Sequence, residues 1–305
     1  MKNKRIYTIA LIVLFSIGLV WYLLIKESDY TITFKVKSST GTIFQGINEW
    51  TSMQSKKHNE KYTILEKSNF DFIKQEMKKG NSQFEYVWNI ETVNDSTTKI
   101  SVGIKEINHS LYNRLTAPFF STKFKTDQID KITNLKEEFE NHIKTFKVKI
   151  DGVGSSPEAF VAYINLKSVM QEKAQTMIGN DNIITGFLYK NHIKIIGRPY
   201  AEINKWDLDK ETLDFNYCFP IDKNSKWITN AIVKFKKIPA MNGLKATYFG
   251  NFRTSDRAWF ALLDYAKKNG YDLDNRPLEH FLANPFNGGA ELEWQTKIII
   301  PFDKN

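Results

Sequence analysis

The chain has 305 residues, with 42% hydrophobic and 25% charged side chains, an ordinary globular balance for one to three domains that excludes disordered and fibrous classes. Its formal net charge of +9 is spread along the whole length rather than gathered in one stripe, which points away from a nucleic-acid partner. The lone cysteine, Cys218, excludes an intramolecular disulfide. Its apolar setting, Phe215-Asn216-Tyr217-Cys218-Phe219, reads as that of a buried, inert thiol.

Ile6 to Ile25 is a run of 20 residues without a charge. As a helix it reaches roughly 30 Å, the thickness of a bilayer's hydrocarbon core, and satisfies its own backbone there. Lys2, Lys4 and Arg5 precede it, whereas Lys26, Glu27 and Asp29 follow it without a positive excess. The positive-inside rule then places the N-terminus in the cytoplasm and the remainder on the periplasmic or extracellular side. Trp21 and Tyr22 near the outer end suit the interface. The run ends in Trp-Tyr-Leu-Leu-Ile-Lys with no small-residue cleavage pattern, so an uncleaved anchor in residues 1–28 is preferred to a signal peptide. The lipid bilayer is the partner of Ile6–Ile25 in this reading.

Residues 29–150 alternate as half-buried strands do: Tyr30, Ile32, Phe34 and Val36, then Phe84, Tyr86, Trp88 and Ile90, then Ile100, Val102 and Ile104. Asn94-Asp95-Ser96 is a hairpin turn between the last two runs. Ile129, Ile132, Leu135, Phe139, Ile143 and Phe146 follow at helical spacing. With Phe84–Ile90, Thr97–Ile107 and the Ser110–Phe120 stretch before the long helix, this segment resembles the SRPBCC (START-like) superfamily. The resemblance implies a helix-grip: a curved antiparallel sheet crossed by one long helix, with an apolar ligand in the gap. The stretch after Phe44 is shorter than the superfamily's usual helical insert, so a packed support domain without a ligand stands beside that reading.

Gly152-Val153-Gly154-Ser155-Ser156-Pro157 reads as a turn-rich boundary. Residues 152–305 then pass twice through one pattern. The first pass has a strand at Phe160–Leu166, a helix ending near Ile178 before Gly179, and strands at Ile193–Ile203 and Leu213–Ile221. The second has a strand at Leu244–Phe252, a helix at Asp256–Asn269 stopped by Gly270, and strands at Leu278–Leu282 and Glu293–Phe302. Arg198-Pro199-Tyr200 is echoed by Arg276-Pro277-Leu278, and Cys218-Phe219-Pro220-Ile221 by Ile299-Ile300-Pro301-Phe302. In the second helix Trp259, Leu262, Leu263 and Ala266 share a face. Thr254 or Ser255 serves as cap, and Lys267 and Lys268 suit the dipole.

Three segments of this region, Ala246-Thr247-Tyr248-Phe249-Gly250-Asn251-Phe252, Ala258–Leu263 with Asn269-Gly270, and Leu278-Glu279-His280-Phe281 with Glu293–Ile298 and Pro301, together resemble the GyrI-like small-molecule-binding domain, the effector-binding domain of AraC- and MerR-type regulators. The resemblance implies an α+β fold of two βαββ halves about a pseudo-twofold, with the ligand in the groove between them. It also implies that Glu279 is the central carboxylate of that groove. A charge in an apolar cleft needs a partner, and a flat cationic or hydrophobic ligand is expected to supply it, aided by ring faces. Tyr163, Tyr200, Tyr248, Trp259, Phe281 and Trp294 are the candidate walls. Phe252 and Phe281 stand where the family more often has tyrosine, which makes the cleft greasier.

Catalytic schemes find little footing. The histidines His58, His109, His142, His192 and His280 lack metal-ligand spacing, and neither a nucleophile elbow nor a phosphate loop is present. Asp207 with Asp209, and Glu291 with Glu293, read as loop or exposed-strand pairs. No cofactor or metal is expected. Two readings stand: a membrane-anchored binding module acting as sensor, sequestering protein or carrier, and a hydrolase or cyclase on a lipophilic substrate with Glu279 as general acid or base.

Overall fold

The computed structural model describes residues 2–57, 60–94, 97–283 and 288–303, with the side chains of 2–5 and of Lys57 left out. Of the residues singled out above, His58, Asp95 and Ser96 lie outside the described residues. The chain divides into two compact units. The first holds residues 1–37 and 43–140, and the second holds residues 38–42 and 141–305.

The first unit opens on α1 (Lys2–Val20), which continues as a π-helical turn, Trp21–Ile25. Ile6–Ile25 is long and apolar enough to cross a membrane and buries nothing within the chain. Then come β1 (Tyr30–Val36), α2 (Thr40–Lys57), β2 (Lys61–Ser68), β3 (Phe72–Lys79), β4 (Ser82–Asn94), β5 (Thr97–Glu106), α3 (Ser110–Thr116) and α4 (Lys123–Ile143). The strands form an antiparallel sheet of order β1-β5-β4-β3-β2. The expected runs in β1, β4 and β5 are strands. α2 spans 18 residues and includes Phe44.

Period-2 alternation puts Ile100, Val102, Ile104, Tyr86, Trp88 and Ile90 on one buried face. Ile132, Leu135 and Phe139 of α4 are buried with them. The rings of Trp50, Tyr86 and Trp88 pack at centroid distances of 6.2 and 6.3 Å, and Tyr86 donates its hydroxyl to Gln128 of α4 at 2.7 Å. Aromatic side chains therefore occupy the space beneath α4.

The second unit is an eight-stranded antiparallel sheet. It consists of β6 (Phe146–Ser156), β7 (Ala159–Val169), α5 (Lys173–Lys190), β8 (Tyr200–Asp207), β9 (Thr212–Pro220), β10 (Lys234–Ile238), β11 (Met241–Gly250), α6 (Arg257–Asn269), β12 (Leu278–Phe281) and β13 (Gln295–Pro301). The order is β10-β7-β9-β8-β12-β13-β11-β6. Read from either edge, the path is the same. β7-α5-β8-β9 corresponds to β11-α6-β12-β13, and the leading strands β6 and β10 are exchanged, each pairing with the other half. The two sequence echoes fall at equivalent places. Tyr200 and Leu278 open β8 and β12, and isolated bridges Ile195–Ile221 and Leu273–Phe302 close each half.

Several expected boundaries shift, each for a physical reason. Gly152–Ser156 is not a turn but the second half of β6. Gly152, at φ +86°, supplies the bulge where the register with β11 slips between Lys245 and Ala246. Phe146 begins β6 instead of ending α4. The strand expected from Ile193 starts only at Tyr200, beyond Pro199, which has no N–H to donate. α5 runs through Gly179 and Gly186 to Lys190. Its buried Ala174, Met177, Ile184 and Leu188 hold one face, which outweighs about 1 kcal/mol per glycine. α6 starts at Arg257 with no side-chain cap, while Gly270 ends it in the left-handed conformation as expected. β2, β3 and β10 gave no clear periodic signal.

At the end of α4, His142 accepts a hydrogen bond from Arg257 Nε at 3.2 Å. Burial, reinforced by the Arg257 charge against a weaker pull from Asp256, lowers its pKa to about 4. An unfolded chain, with a histidine near its ordinary value of roughly 6.5, binds that proton more readily. The contribution is therefore fully present above about pH 6.5 and is lost as pH falls towards 4. His142→Gln, which keeps an acceptor, is expected to flatten the fall in unfolding midpoint over that window. An unchanged slope contradicts the assignment.

Candidate ligand groove

Antiparallel register sorts the candidate residues onto two faces. Glu279 lies opposite Ala201 and Ile298, while its neighbour His280 lies opposite Tyr200 and Lys297. Tyr200 in turn pairs with Cys218, and Cys218 with Tyr163. Because partners across a ladder share a face, Glu279 and Phe281 are on one side of the sheet. Tyr163, Tyr200 and His280 are on the other.

Glu279 is fully buried and already partnered. Its Oε2 accepts from Lys173 Nζ at 2.6 Å and its Oε1 from Trp259 Nε1 at 2.9 Å. Lys173, the first residue of α5, is itself fully buried. Its ammonium also donates to Ser255 Oγ at 3.1 Å and lies 4.4 Å from the Trp259 ring centroid. The cation expected from a ligand is thus supplied by the chain. Trp259 meets Trp206 edge-on at 5.2 Å. Tyr248, also buried, bonds through its hydroxyl to Asn251 O and Thr254 Oγ1 and stacks on Phe146 at 5.9 Å.

On the other face Tyr200 stacks on His280 at 4.0 Å, and Tyr163 lies under Lys236. Trp294, before β13, gives its indole N–H to Gly288 O. Of the seven predicted wall and centre residues, only Phe281 lines the groove described next.

That groove has a volume of about 490 Å³, within the range of small-molecule sites. α5 contributes Met177, Ile178 and Asp181, β9 contributes Tyr217 and Phe219, and Phe252 and Phe281 come from the second half. Phe252 and Phe281 meet edge to face at 5.8 Å, and Tyr217 and Phe219 at 5.1 Å. Asp181 is the carboxylate here. Its Oδ1 accepts the Tyr217 hydroxyl at 2.8 Å, and burial followed by the Asp181 charge pushes the Tyr217 phenol well above its ordinary range. Arg198 stands exposed at the rim.

Sequence reasoning missed Asp181 because it ended the helix before Gly179. Continuing the Met177-x₆-Ile184-x₃-Leu188 spacing places Asp181 on the buried face. Lys173 left no comparable signal. Among the described residues no cluster of histidine, cysteine or carboxylate side chains suits a metal.

No family model matches the chain, and no curated protein matches it significantly. Solved structures do. The EcmrR C-terminal domain is similar at 18% identity over 52% of this chain and 99% of that one, with a TM-score of 0.44. A hydrolase from Listeria innocua is similar at 10% identity, covering 52% and 92%, with a TM-score of 0.37. SAV2435 bound to tetraphenylphosphonium is similar at 9% identity, covering 52% and 93%, with a TM-score of 0.34.

The Lys173–Glu279 pair makes a sharp stability prediction. Lys173→Met or Glu279→Gln alone strands a buried polar group or charge and is expected to cost about 3–5 kcal/mol. The double variant is expected to regain most of that loss. Denaturant unfolding followed by tryptophan emission measures both, and additive losses would contradict the pairing.

Proposed function

We propose that the chain is a membrane-anchored small-molecule-binding protein, and that its ligand occupies the aromatic groove beside α5. The groove itself carries the proposal: about 490 Å³, walled by aromatic and aliphatic side chains with Asn182 and Arg198, and holding one carboxylate, Asp181. A flat, lipophilic molecule suits Phe219, Phe252 and Phe281. A cationic or strongly donating group on it suits Asp181, because ring faces and a carboxylate in a partly dry cleft both favour positive charge. The exposed Arg198 is screened by solvent and weighs less. Glu279 takes no part in this recognition, being neutralised by Lys173.

In this reading the βαββ echo is an internal duplication of the GyrI-like kind, and the first unit is a compact helix-grip support with no ligand of its own. Ile6–Ile25 holds both units at the outer face of a bilayer, the arrangement the flanking charges favour. The role is that of a sensor, sequestering protein or carrier. The general acid or base of a hydrolase must reach its substrate, and the fully buried Glu279 carboxylate does not meet that requirement.

Titration calorimetry on the full chain in detergent, with tetraphenylphosphonium as probe, tests the proposal. Wild type is expected to bind. Phe281→Ala and Asp181→Asn are each expected to weaken binding about tenfold, equivalent to roughly 1.4 kcal/mol. Absence of binding by wild type, or affinity unchanged in both variants, rejects the groove as the site for such a ligand.

A further inference from the structure

α3 is amphipathic the wrong way round. At 3.6 residues per turn, Leu111, Tyr112 and Leu115 fall on one stripe of α3 that faces out, and Phe119 extends it in the turn that follows. Leu111 is 53% exposed, Tyr112 61%, Leu115 50% and Phe119 80%, and the next residue, Phe120, is 64% exposed. The inward side carries Asn113, Arg114 and Ala117, all buried. A soluble surface helix has the opposite arrangement.

The reason lies at the end of the apolar helix. Arg114 Nη1 donates to Leu23 O at 2.9 Å, and Tyr22 donates its hydroxyl to Arg114 O at 3.1 Å. Arg114 Nε also pairs with the buried Asp29 at 3.0 Å, and Asp29 accepts from Ser110 Oγ and from the Glu106 amide. α3 is thereby locked at the level where Ile6–Ile25 ends, with its aromatic and leucine side chains turned outward. Trp21, Leu24 and Ile25 continue the exposed apolar surface.

We infer that α3 and the turn after it form a second membrane contact, an interfacial patch that seats the first unit on the bilayer surface. The inference rests on the anchor reading of Ile6–Ile25 and is independent of the ligand groove. Leu111, Leu115, Phe119 and Phe120 enter the boundary between headgroups and acyl chains, a depth of about 5–10 Å. The Tyr112 ring sits at headgroup level, as interfacial tyrosines do. With two points of contact the unit no longer swivels freely about its tether.

Nitroxide labelling of the full chain in phosphatidylcholine–phosphatidylglycerol vesicles tests this. Labels are placed by Phe119→Cys, by Leu111→Cys as a second site, and by Glu91→Cys as a control. Glu91 pairs with Lys99 at the far end of the β4–β5 ladder, seven residues from the Phe84–Glu106 pair, or roughly 23 Å. The buried Cys218 is expected to take up no label. Collision with oxygen is expected to exceed collision with a nickel chelate at 119 and 111, and the order is expected to reverse at 91. Aqueous accessibility at 119 and 111 overturns the inference, as does shielding from both reagents, which would mark a protein contact. A chain that fails to float with the vesicles overturns the anchor reading itself, and this inference with it.

Discussion

Lys173 and Glu279 meet where no water reaches, and the eight-stranded unit is organised around that meeting. Removing both charges from solvent costs several kcal/mol per ion. The cost is offset by a short ammonium–carboxylate contact, by the Trp259 indole on the second carboxylate oxygen, and by Ser255 on the ammonium. The partners come from different halves: α5 from the first, β12 and α6 from the second. The pair therefore fixes the start of α5 relative to the far half of the sheet. Four and eight residues on, about 6 and 12 Å along the helix axis, that same rotation sets Met177 and Asp181 beside the aromatic side chains of the groove.

Two carboxylates, Glu279 on β12 and Asp181 on α5, have thus been given opposite fates. Glu279 is dry, paired and silent towards solvent. Asp181 sits in an open cleft, held by a single phenol. The cleft around it is lined by Phe219, Phe252 and Phe281 together with Asn182 and Arg198. Local surroundings, not residue type, decide which acid is sealed off and which stays open to solvent.

Strong periodicity was legible in the sequence and remained so in the structure. β1, β4, β5, α4, β9, α6 and β13 all follow from apolar spacing, and both Arg-Pro echoes fall just before a strand, β8 and β12. What the sequence hid was decided by tertiary contact. Gly152 marks a bulge, a use of glycine that composition does not distinguish from a turn. Gly179 sits inside a helix because buried Met177, Ile184 and Leu188 outweigh its propensity. A helix ended before Gly179 also leaves Asp181 in a loop, so its place on the buried face of α5 was not legible. Lys173 carries no local mark of burial, since a lysine at a helix start usually points to water, against the dipole's preference.

The exchanged strands set a timetable for synthesis. β6 follows directly on α4 but finds its neighbour in β11, and the Thr247–Asp151 bond between them joins residues 96 apart in the chain. At about 5–20 residues per second, a ribosome needs roughly 5–20 s to deliver that neighbour. For this interval an alternating strand has an unmet ladder, while the strands of the first unit's sheet have all been synthesised. Exposed edges of this kind invite pairing with other chains. The glycines and bulge of β6 twist and weaken its pairing surface, so the features that disguise it as a turn also guard it until β11 arrives.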